Sequence, residues 1–145
     1  MPKLWTIGYE RLLPAELVAE LSAAGVSRVL DVRFRPQSRR PGMSKTRLGE
    51  LLGEHGIAYE HRKALGTPPD IRWYFKHNRS AEGAPLFRAH MEASAGEELD
   101  ALAAELGHAP PTALLCLEAD PAVCHRRLVA EALVARRADL VVVDL

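Results

Sequence analysis

Short apolar runs alternate along this chain with longer segments of helical periodicity. The apolar runs are typical of strands and fall at residues 4–7, 29–32, 57–59, 112–116 and 140–143. Between them, apolar side chains recur at helical spacing and predict helices at 14–24, 44–55, 86–107 and 121–137. Residues 62–84 are the least regular, and only a helix between Asp70 and Asn78 is indicated there.

This alternation predicts the fold class. Short, nearly all-apolar strands are typical of a parallel sheet that helices cover on both faces. We therefore expect a single α/β domain over residues 1–145, a three-layer sandwich around a five-stranded, mostly parallel sheet. The expected strand order is 3-2-1-4-5, which makes the first and fourth strands neighbours. Ligands of such sheets bind beyond the carboxyl ends of the strands, near the point where the strand order reverses.

Overall composition does not change the predicted fold, but the distribution of charge along the chain bears on where an anion could bind. Apolar residues make up 48% of the chain and charged residues 26%, both ordinary for a globular protein. No apolar run approaches the ~20 residues that span a bilayer, and there is no room for a signal peptide, so we expect a cytoplasmic protein with no membrane partner. The net charge is zero, yet residues 1–79 carry 14 Lys/Arg and 8 Asp/Glu, and residues 80–145 carry 5 and 11. The basic half can hold an anion site, or the split is surface patterning.

Both cysteines lie in one segment, residues 112–128. Cys116 ends a predicted strand, where many α/β enzymes place a nucleophile. Asp120-Pro121 has the features of a helix start, with Asp as the N-cap. Cys124 would then lie in the first turn of that helix, where a thiol beside His and Arg tends toward the reactive thiolate. Either cysteine is a candidate nucleophile, and the alternative is that both thiols pack in the core.

Three polar side chains accompany the cysteines. Glu118 and His125 are candidates for general acid or base catalysis, and Arg126 is a candidate for anion binding. Thiol, carboxylate, imidazole and guanidinium therefore fall within one strand-to-helix connection. The segment predicts a site without specifying its reaction.

A basic loop follows the second strand. Residues 33–47 hold six basic side chains and no acidic one. Arg33 stands at the strand end, where a guanidinium can bind an anion through two hydrogen bonds. We predict that Arg33 and Arg39 bind an anion. For Arg40 and the later basic residues we expect a solvated surface.

Two further motifs have weaker signals. At the end of the first strand, Thr6, Gly8 and Tyr9 are candidate binding residues: Gly8 permits a tight turn or the close approach of a ligand, and Tyr9 can close over the site. The alternative is an ordinary turn beside a packing tyrosine. Residues 72–79 mix aromatic and basic side chains, which can bind nucleic acid or can form a helix with an aromatic inner face.

Known site templates do not fit the spacings. A Cys-x5-Arg phosphatase loop requires arginine where Ala122 and Ala130 stand. A rhodanese-like sulfur transferase matches better at the Asp31-Val32-Arg33 strand, but ten residues separate Cys116 from Arg126. The spacing Cys-x2-Cys of structural zinc sites is also absent. The zinc ligands that remain available are Cys116, Glu118, Cys124 and His125.

Taken together, the motifs resemble those of the DUF488 family, a bacterial and archaeal domain family of unknown function. The matching residues are Thr6-Ile7-Gly8-Tyr9, Asp31-Val32-Arg33, Pro36, Ser38, Arg39, Leu65-Gly66, Cys116, Glu118 and Cys124-His125-Arg126. Two positions depart from the family pattern, because Glu10 replaces a frequent Ser and Thr67 replaces a frequent second Gly. The resemblance implies an α/β domain whose motif residues gather at one site. It implies no reaction.

We therefore expect an enzyme that acts on a small anionic or phosphate-bearing substrate, such as a nucleotide or a nucleic-acid end. The first alternative is a non-catalytic module that binds nucleotide or nucleic acid. The second is a thiol redox or metal-binding role for the cysteine pair. No cofactor is indicated, and the oligomeric state is left open.

Overall fold

The computed structural model describes residues 1–145 and consists of a five-stranded parallel sheet with helices on both faces. The predicted fold class is confirmed. The strands are β1 (Lys3–Gly8), β2 (Arg28–Asp31), β3 (Ala58–His61), β4 (Thr112–Cys116) and β5 (Val141–Asp144). The α-helices are α1 (Pro14–Ala23), α2 (Lys45–Glu54), α3 (Pro69–Lys76), α4 (Ser80–Ser94), α5 (Gly96–Glu105) and α6 (His125–Arg136).

Each face of the sheet has its own apolar core, because side chains alternate between the faces along a strand. Leu30 and Leu114 point toward α4, α5 and α6, where Phe87 is fully buried. Ile7 and Leu115 point the other way, toward α1 and α2. Cys116 belongs to the core of the first face, so its side chain emerges beside α6.

The expected strand order is wrong in the middle of the sheet. The observed order is β3-β2-β4-β1-β5, so β4 lies between β2 and β1. Every residue of β4 is buried, whereas Lys3 on β1 is exposed and Trp5 is half-buried. A strand that is apolar on both faces is most stable at the centre, where neighbours and helices cover it fully. The predicted pairing of β1 with β4 is present, and β4 also pairs with β2.

Local boundaries differ from the sequence-based expectation in two places. Residues Pro121–Val123 form a separate 3-10 turn with Asp120 as its cap, and α6 begins only at His125 with Cys124 as its N-cap. The irregular region also contains more helix than predicted, since α4 begins at Ser80. None of the helices is both long and apolar enough to cross a bilayer.

Candidate functional site

A narrow cleft opens at the carboxyl edge of the sheet, between the ends of β2 and β4. Because β4 pairs with β2, the residue after each strand is brought to the same edge, and the Val32 N–H donates to Leu115 O at 3.1 Å. The cleft has an internal volume of about 20 Å³, which holds about one water-sized group. Its walls are formed by Arg33, Phe34, Thr67, Arg72, Phe75, Cys116, Leu117, Glu118, Val123 and His125. Three predicted catalytic residues and one predicted binding residue therefore share one cleft.

The two cysteines are joined in a disulfide beneath this cleft. Cys116 lines the cleft, whereas Cys124 does not and caps α6 by accepting the Arg126 N–H at 3.4 Å. Both are buried. The helix N-terminus favours the thiolate form of a reduced Cys124, since the free N–H groups there carry partial positive charge.

Glu118 and Arg126 contact the Cys116 sulfur from two sides. A carboxylate oxygen of Glu118 lies 3.7 Å from Sγ, and Nη1 of Arg126 donates to Sγ at 3.2 Å. The Arg126 guanidinium is fully buried, and it also donates to the carbonyls of Glu118 and, at 3.1 Å, of Ala119. Burial lowers the pKa of Arg126, and the carboxylates of Asp144 and Glu118 partly compensate. Arg126 therefore fixes the 118–119 loop and faces a sulfur; it does not line the cleft.

His125 is held as a neutral imidazole with a defined orientation. Its Nε2 lies 2.7 Å from the Val32 carbonyl, which only accepts hydrogen bonds, so Nε2 carries the proton. Nδ1 is then the unprotonated nitrogen, 3.9 Å from the Cys124 sulfur. Burial lowers the pKa of His125 to about 4, and the Val32 hydrogen bond only partly opposes this. At neutral pH His125 is therefore uncharged, and its unprotonated Nδ1 can accept a hydrogen bond.

Arg33 is anchored by a buried acidic residue that the sequence motif contains but that we did not predict as a site residue. Asp31 is fully buried and accepts from Nε of Arg33 at 2.9 Å and from Nη2 at 2.7 Å. It also accepts from the Tyr59 hydroxyl at 2.5 Å. Burial alone would lower the pKa of Arg33, but the hydrogen bonds and charge of Asp31 outweigh it and raise the pKa. Burial, together with Asp31, also raises the pKa of Tyr59.

Most N–H groups of the Arg33 guanidinium donate hydrogen bonds to other groups of the protein. Nη1 donates to the Tyr9 hydroxyl at 3.2 Å and to the Met43 carbonyl at 2.7 Å. With the two Asp31 bonds, four of the five N–H groups have partners. One N–H on Nη2 is left for a ligand. Tyr9 is buried against this guanidinium, so it packs below the site and does not close over it.

Residue 8 must be glycine because the backbone of Glu118 packs directly against it. A Cβ at residue 8 would overlap the carbonyl oxygen and carbon of Glu118 and would lie 2.9 Å from Arg126 Nη1. Gly66 is similar, since a Cβ there would lie 2.5 Å from the Phe34 backbone nitrogen and Cα. The close approach that the first strand motif indicated is therefore made by the 118–119 loop.

The remaining predicted binding residues lie away from the cleft walls. The Thr6 hydroxyl donates to the Asp144 carboxylate on β5. Arg39 is exposed on its loop. Arg40, for which we expected a solvated position, instead donates to the carbonyls of Tyr9, Glu10 and Leu12 and fixes the turn after β1.

Two polar wall residues of the cleft, Thr67 and Arg72, were not among the predicted site residues. Thr67 follows Gly66 in a turn before α3, and we interpreted it only as a departure from a glycine pattern. Arg72 begins the mixed aromatic and basic segment 72–79. For this segment we considered both nucleic-acid binding and a helix with an aromatic inner face. The signal available was their place in the connection that follows β3, since this connection leaves the same carboxyl edge of the sheet as Arg33 and Cys116.

A metal ligand set is also present at the cysteines. The ligand atoms of Cys116, Cys124 and His125 lie within 4.8 Å of one another, and the protonated Nε2 of His125 leaves Nδ1 available. The Val32 carbonyl accepts the hydrogen bond of the other ring nitrogen, as the acceptors behind the histidine ligands of zinc sites do. Two thiolates and an imidazole fit Zn²⁺ in type, provided the disulfide is reduced.

The fold and the site define an α/β protein with a paired-cysteine site at the carboxyl edge of its parallel sheet. Residues 14–133 match the family described as "Domain of unknown function DUF488", and the chain belongs to this family. No curated protein and no solved structure matches the chain.

Proposed function

We propose that this protein is an enzyme that acts on a small anionic, phosphate-bearing substrate, with reduced Cys116 as the nucleophile. One observation carries the proposal: Cys116, Glu118, His125 and Arg33 line a single cleft at the edge where α/β sheets bind ligands. A nucleophile, a carboxylate and a cation around one cavity are the components that covalent catalysis requires.

The choice between the cysteines follows from access. Cys116 lines the cleft and Cys124 does not. Arg126, 3.2 Å from the Cys116 sulfur, stabilises a thiolate there. Glu118, 3.7 Å from the same atom, accepts the thiol proton. The free N–H of Arg33 and the guanidinium of Arg72 attract the anionic part of the substrate.

The chemical step is a nucleophilic displacement. Glu118 takes the proton of the Cys116 thiol, and the sulfur forms a bond to the electrophilic atom of the substrate. The leaving group departs with the electron pair of its broken bond and receives the proton from Glu118. Water then hydrolyses the covalent intermediate and restores the thiol. The disulfide is the inactive form. A dithiol reductant restores the two thiols by thiol–disulfide exchange, giving up two electrons and two protons and becoming a disulfide itself.

Selective alkylation tests the nucleophile. The protein is reduced with excess dithiothreitol, desalted, and treated with iodoacetamide at neutral pH, and each cysteine is quantified by mass spectrometry. We expect Cys116 to react faster than the thiol of glutathione and faster than Cys124. The Cys124→Ala variant should keep the fast reaction, because Cys116 retains Glu118 and Arg126. If Cys116 reacts no faster than glutathione in either protein, the nucleophile role is excluded.

A second candidate function is thiol–disulfide exchange, which the bonded sulfur pair favours. In this reaction the dithiol form passes two electrons and two protons to a substrate disulfide and becomes the Cys116–Cys124 disulfide. Substitution distinguishes the two functions. Cys124→Ser abolishes exchange turnover but leaves the displacement reaction, whereas Cys116→Ser abolishes both.

The other two alternatives have direct tests. A metal-binding role predicts about one zinc per chain in reduced protein that is purified without chelator and measured by elemental analysis. A non-catalytic nucleotide or nucleic-acid binding role predicts binding that weakens with salt and survives the loss of both thiols.

A further inference from the structure

A second, larger cavity adjoins the cleft. This basic depression has a volume of about 320 Å³ and lies between the loop after β2 and the exposed side of α3. Phe34, Thr67 and Arg72 line both the depression and the cleft, so the two cavities share a wall. Its other walls include Arg35, Trp73 and Lys76. A ligand in the depression therefore lies next to the Cys116 cleft.

Thr67 carries an unsatisfied hydroxyl at this shared wall. The residue is 2% exposed, and its Oγ1 has no hydrogen-bond partner. Native proteins rarely leave a buried hydroxyl unpaired, because its lost hydration is not recovered. A ligand atom that accepts this hydrogen bond would satisfy it.

The cations around the depression are also unpaired. Arg35, Arg72 and Lys76 take part in none of the ten ion pairs of the protein, which engage arginines elsewhere such as Arg62 and Arg136. No carboxylate lines the depression. Three cations without an internal counterion favour an anionic ligand.

An aromatic surface lies beside these cations. Trp73 is 44% exposed, although most large apolar side chains of the protein are buried. The His77 ring stacks on it at a centroid separation of 4.4 Å and holds it in place. Exposed aromatic rings next to cations are typical of sites that bind bases and phosphates together.

We propose that the basic depression binds a phosphate monoester attached to an aromatic ring, of the nucleoside monophosphate type. The phosphate accepts hydrogen bonds from Thr67 Oγ1 and the Arg72 guanidinium, and the ring packs against Phe34 and the stacked Trp73–His77 pair. This inference rests on the proposed function and deepens it, since it names the substrate class and puts its phosphate at the wall of the Cys116 cleft.

Isothermal titration calorimetry of the whole chain with adenosine 5′-monophosphate tests the assignment. Ribose 5-phosphate, adenosine and inorganic phosphate are the comparison probes. We expect the monophosphate to bind about tenfold or more tightly than each of them, since both stacking and charge contribute. If inorganic phosphate binds as tightly as the monophosphate, the aromatic part is wrong. If the monophosphate does not bind, the proposal fails.

Substitutions identify the contacts. Thr67→Val, which keeps the shape and removes the hydroxyl, should weaken binding of the monophosphate about tenfold, and Thr67→Ser should restore it. Arg72→Gln should weaken binding by at least as much. Arg47→Gln is the matched control, because it removes an exposed charge of the basic half that does not line the depression. If Arg47→Gln and Arg72→Gln weaken binding of the monophosphate equally, the loss reflects only the net charge of the protein, and the assignment is overturned.

Stability provides an independent readout of Thr67. Without ligand, Thr67→Val should unfold at the same or a higher temperature, because it replaces an unpaired buried hydroxyl with a methyl group. A clear loss of stability would mean that the hydroxyl has an internal partner, which contradicts the proposal.

The outcome is separable from the proposed enzyme. Cys116→Ser should bind the monophosphate like the unchanged protein. Binding without fast alkylation of Cys116 would refute the nucleophile and keep the depression as a binding site. Fast alkylation of Cys116 without binding of the monophosphate would refute the depression as a binding site and keep Cys116 as the nucleophile.

Discussion

Replacement of Gly8 by alanine should destabilise the protein strongly, although the change adds only one methyl group. The added Cβ would overlap the Glu118 carbonyl group, and a contact closer than 3.0 Å to backbone is not sustained. The 117–119 segment must therefore move away from β1. Two backbone hydrogen bonds hold it there, from the Tyr9 N–H to Cys116 O at 3.2 Å and from the Glu10 N–H to Leu117 O at 2.8 Å.

The expected magnitude follows from these contacts. Each lost hydrogen bond costs about 1 kcal/mol, and overpacking adds about 1–3 kcal/mol. Reduced freedom of the unfolded chain returns about 0.4–1 kcal/mol. The net loss in the free energy of unfolding should be about 2–4 kcal/mol.

Urea unfolding followed by far-ultraviolet circular dichroism measures this loss. With a slope of about 1–3 kcal/mol per molar urea, the midpoint should fall by about 1 M or more. Gly53→Ala is the matched control: Gly53 is in the exposed part of α2, and a Cβ there has nothing within 4 Å. This control should be neutral or up to about 1 kcal/mol more stable.

The result also separates two explanations of Gly8. If Gly8→Ala stays within about 0.5 kcal/mol of the unchanged protein, the close approach of Glu118 is not what requires glycine, and the reasoning is refuted. If it then fails to bind adenosine 5′-monophosphate, the ligand-approach role that the sequence indicated would gain support instead.

Three further predictions follow from buried polar groups. Asp31→Asn should cost about 3–5 kcal/mol of stability in urea unfolding, because Arg33 is left as a buried charge without a counterion; a loss below about 1 kcal/mol would contradict this. Stability should fall as the pH drops from about 6.5 toward 4, because histidine in the unfolded chain is protonated in that range while burial lowers the pKa of His125 in the folded protein to about 4. The free energy of unfolding should fall by at most about 3 kcal/mol. If the pH dependence of stability is unchanged in His125→Gln, His125 is not its source. Thr6→Val should lose about 1 kcal/mol by removing the hydrogen bond to Asp144 and leave nucleotide binding unchanged; weakened binding at full stability would return Thr6 to the ligand site.

Part of the site was accessible from the sequence because it depends on short-range order. Cys116 and Glu118 are two residues apart at a strand end, and His125 follows within one connection. The rule that parallel strands present their carboxyl ends at one edge then brings Arg33 to the same place. These four residues line one cleft, and their function as a site stays a prediction.

The roles of the arginines depend on contacts that sequence does not reveal. Arg126 is bonded to carbonyls of the 118–119 loop, and Arg40 is bonded to the turn after β1, about thirty residues earlier. Whether a guanidinium is free for a ligand depends on how many of its N–H groups the fold already uses. Composition alone could not distinguish Arg33, with one N–H left, from the unpaired Arg72.

The sequence by itself determined the class of fold, the single parallel sheet and the concentration of reactive groups between β4 and α6, because periodicity and spacing are local properties. Tertiary structure decided that β4 lies between β2 and β1, which brings Cys116 beside Arg33, and that Thr67, whose hydroxyl has no internal partner, lines both cavities. Strand order and the pairing of buried polar groups arise from contacts between distant parts of the chain, and these exist only after the sheet has assembled.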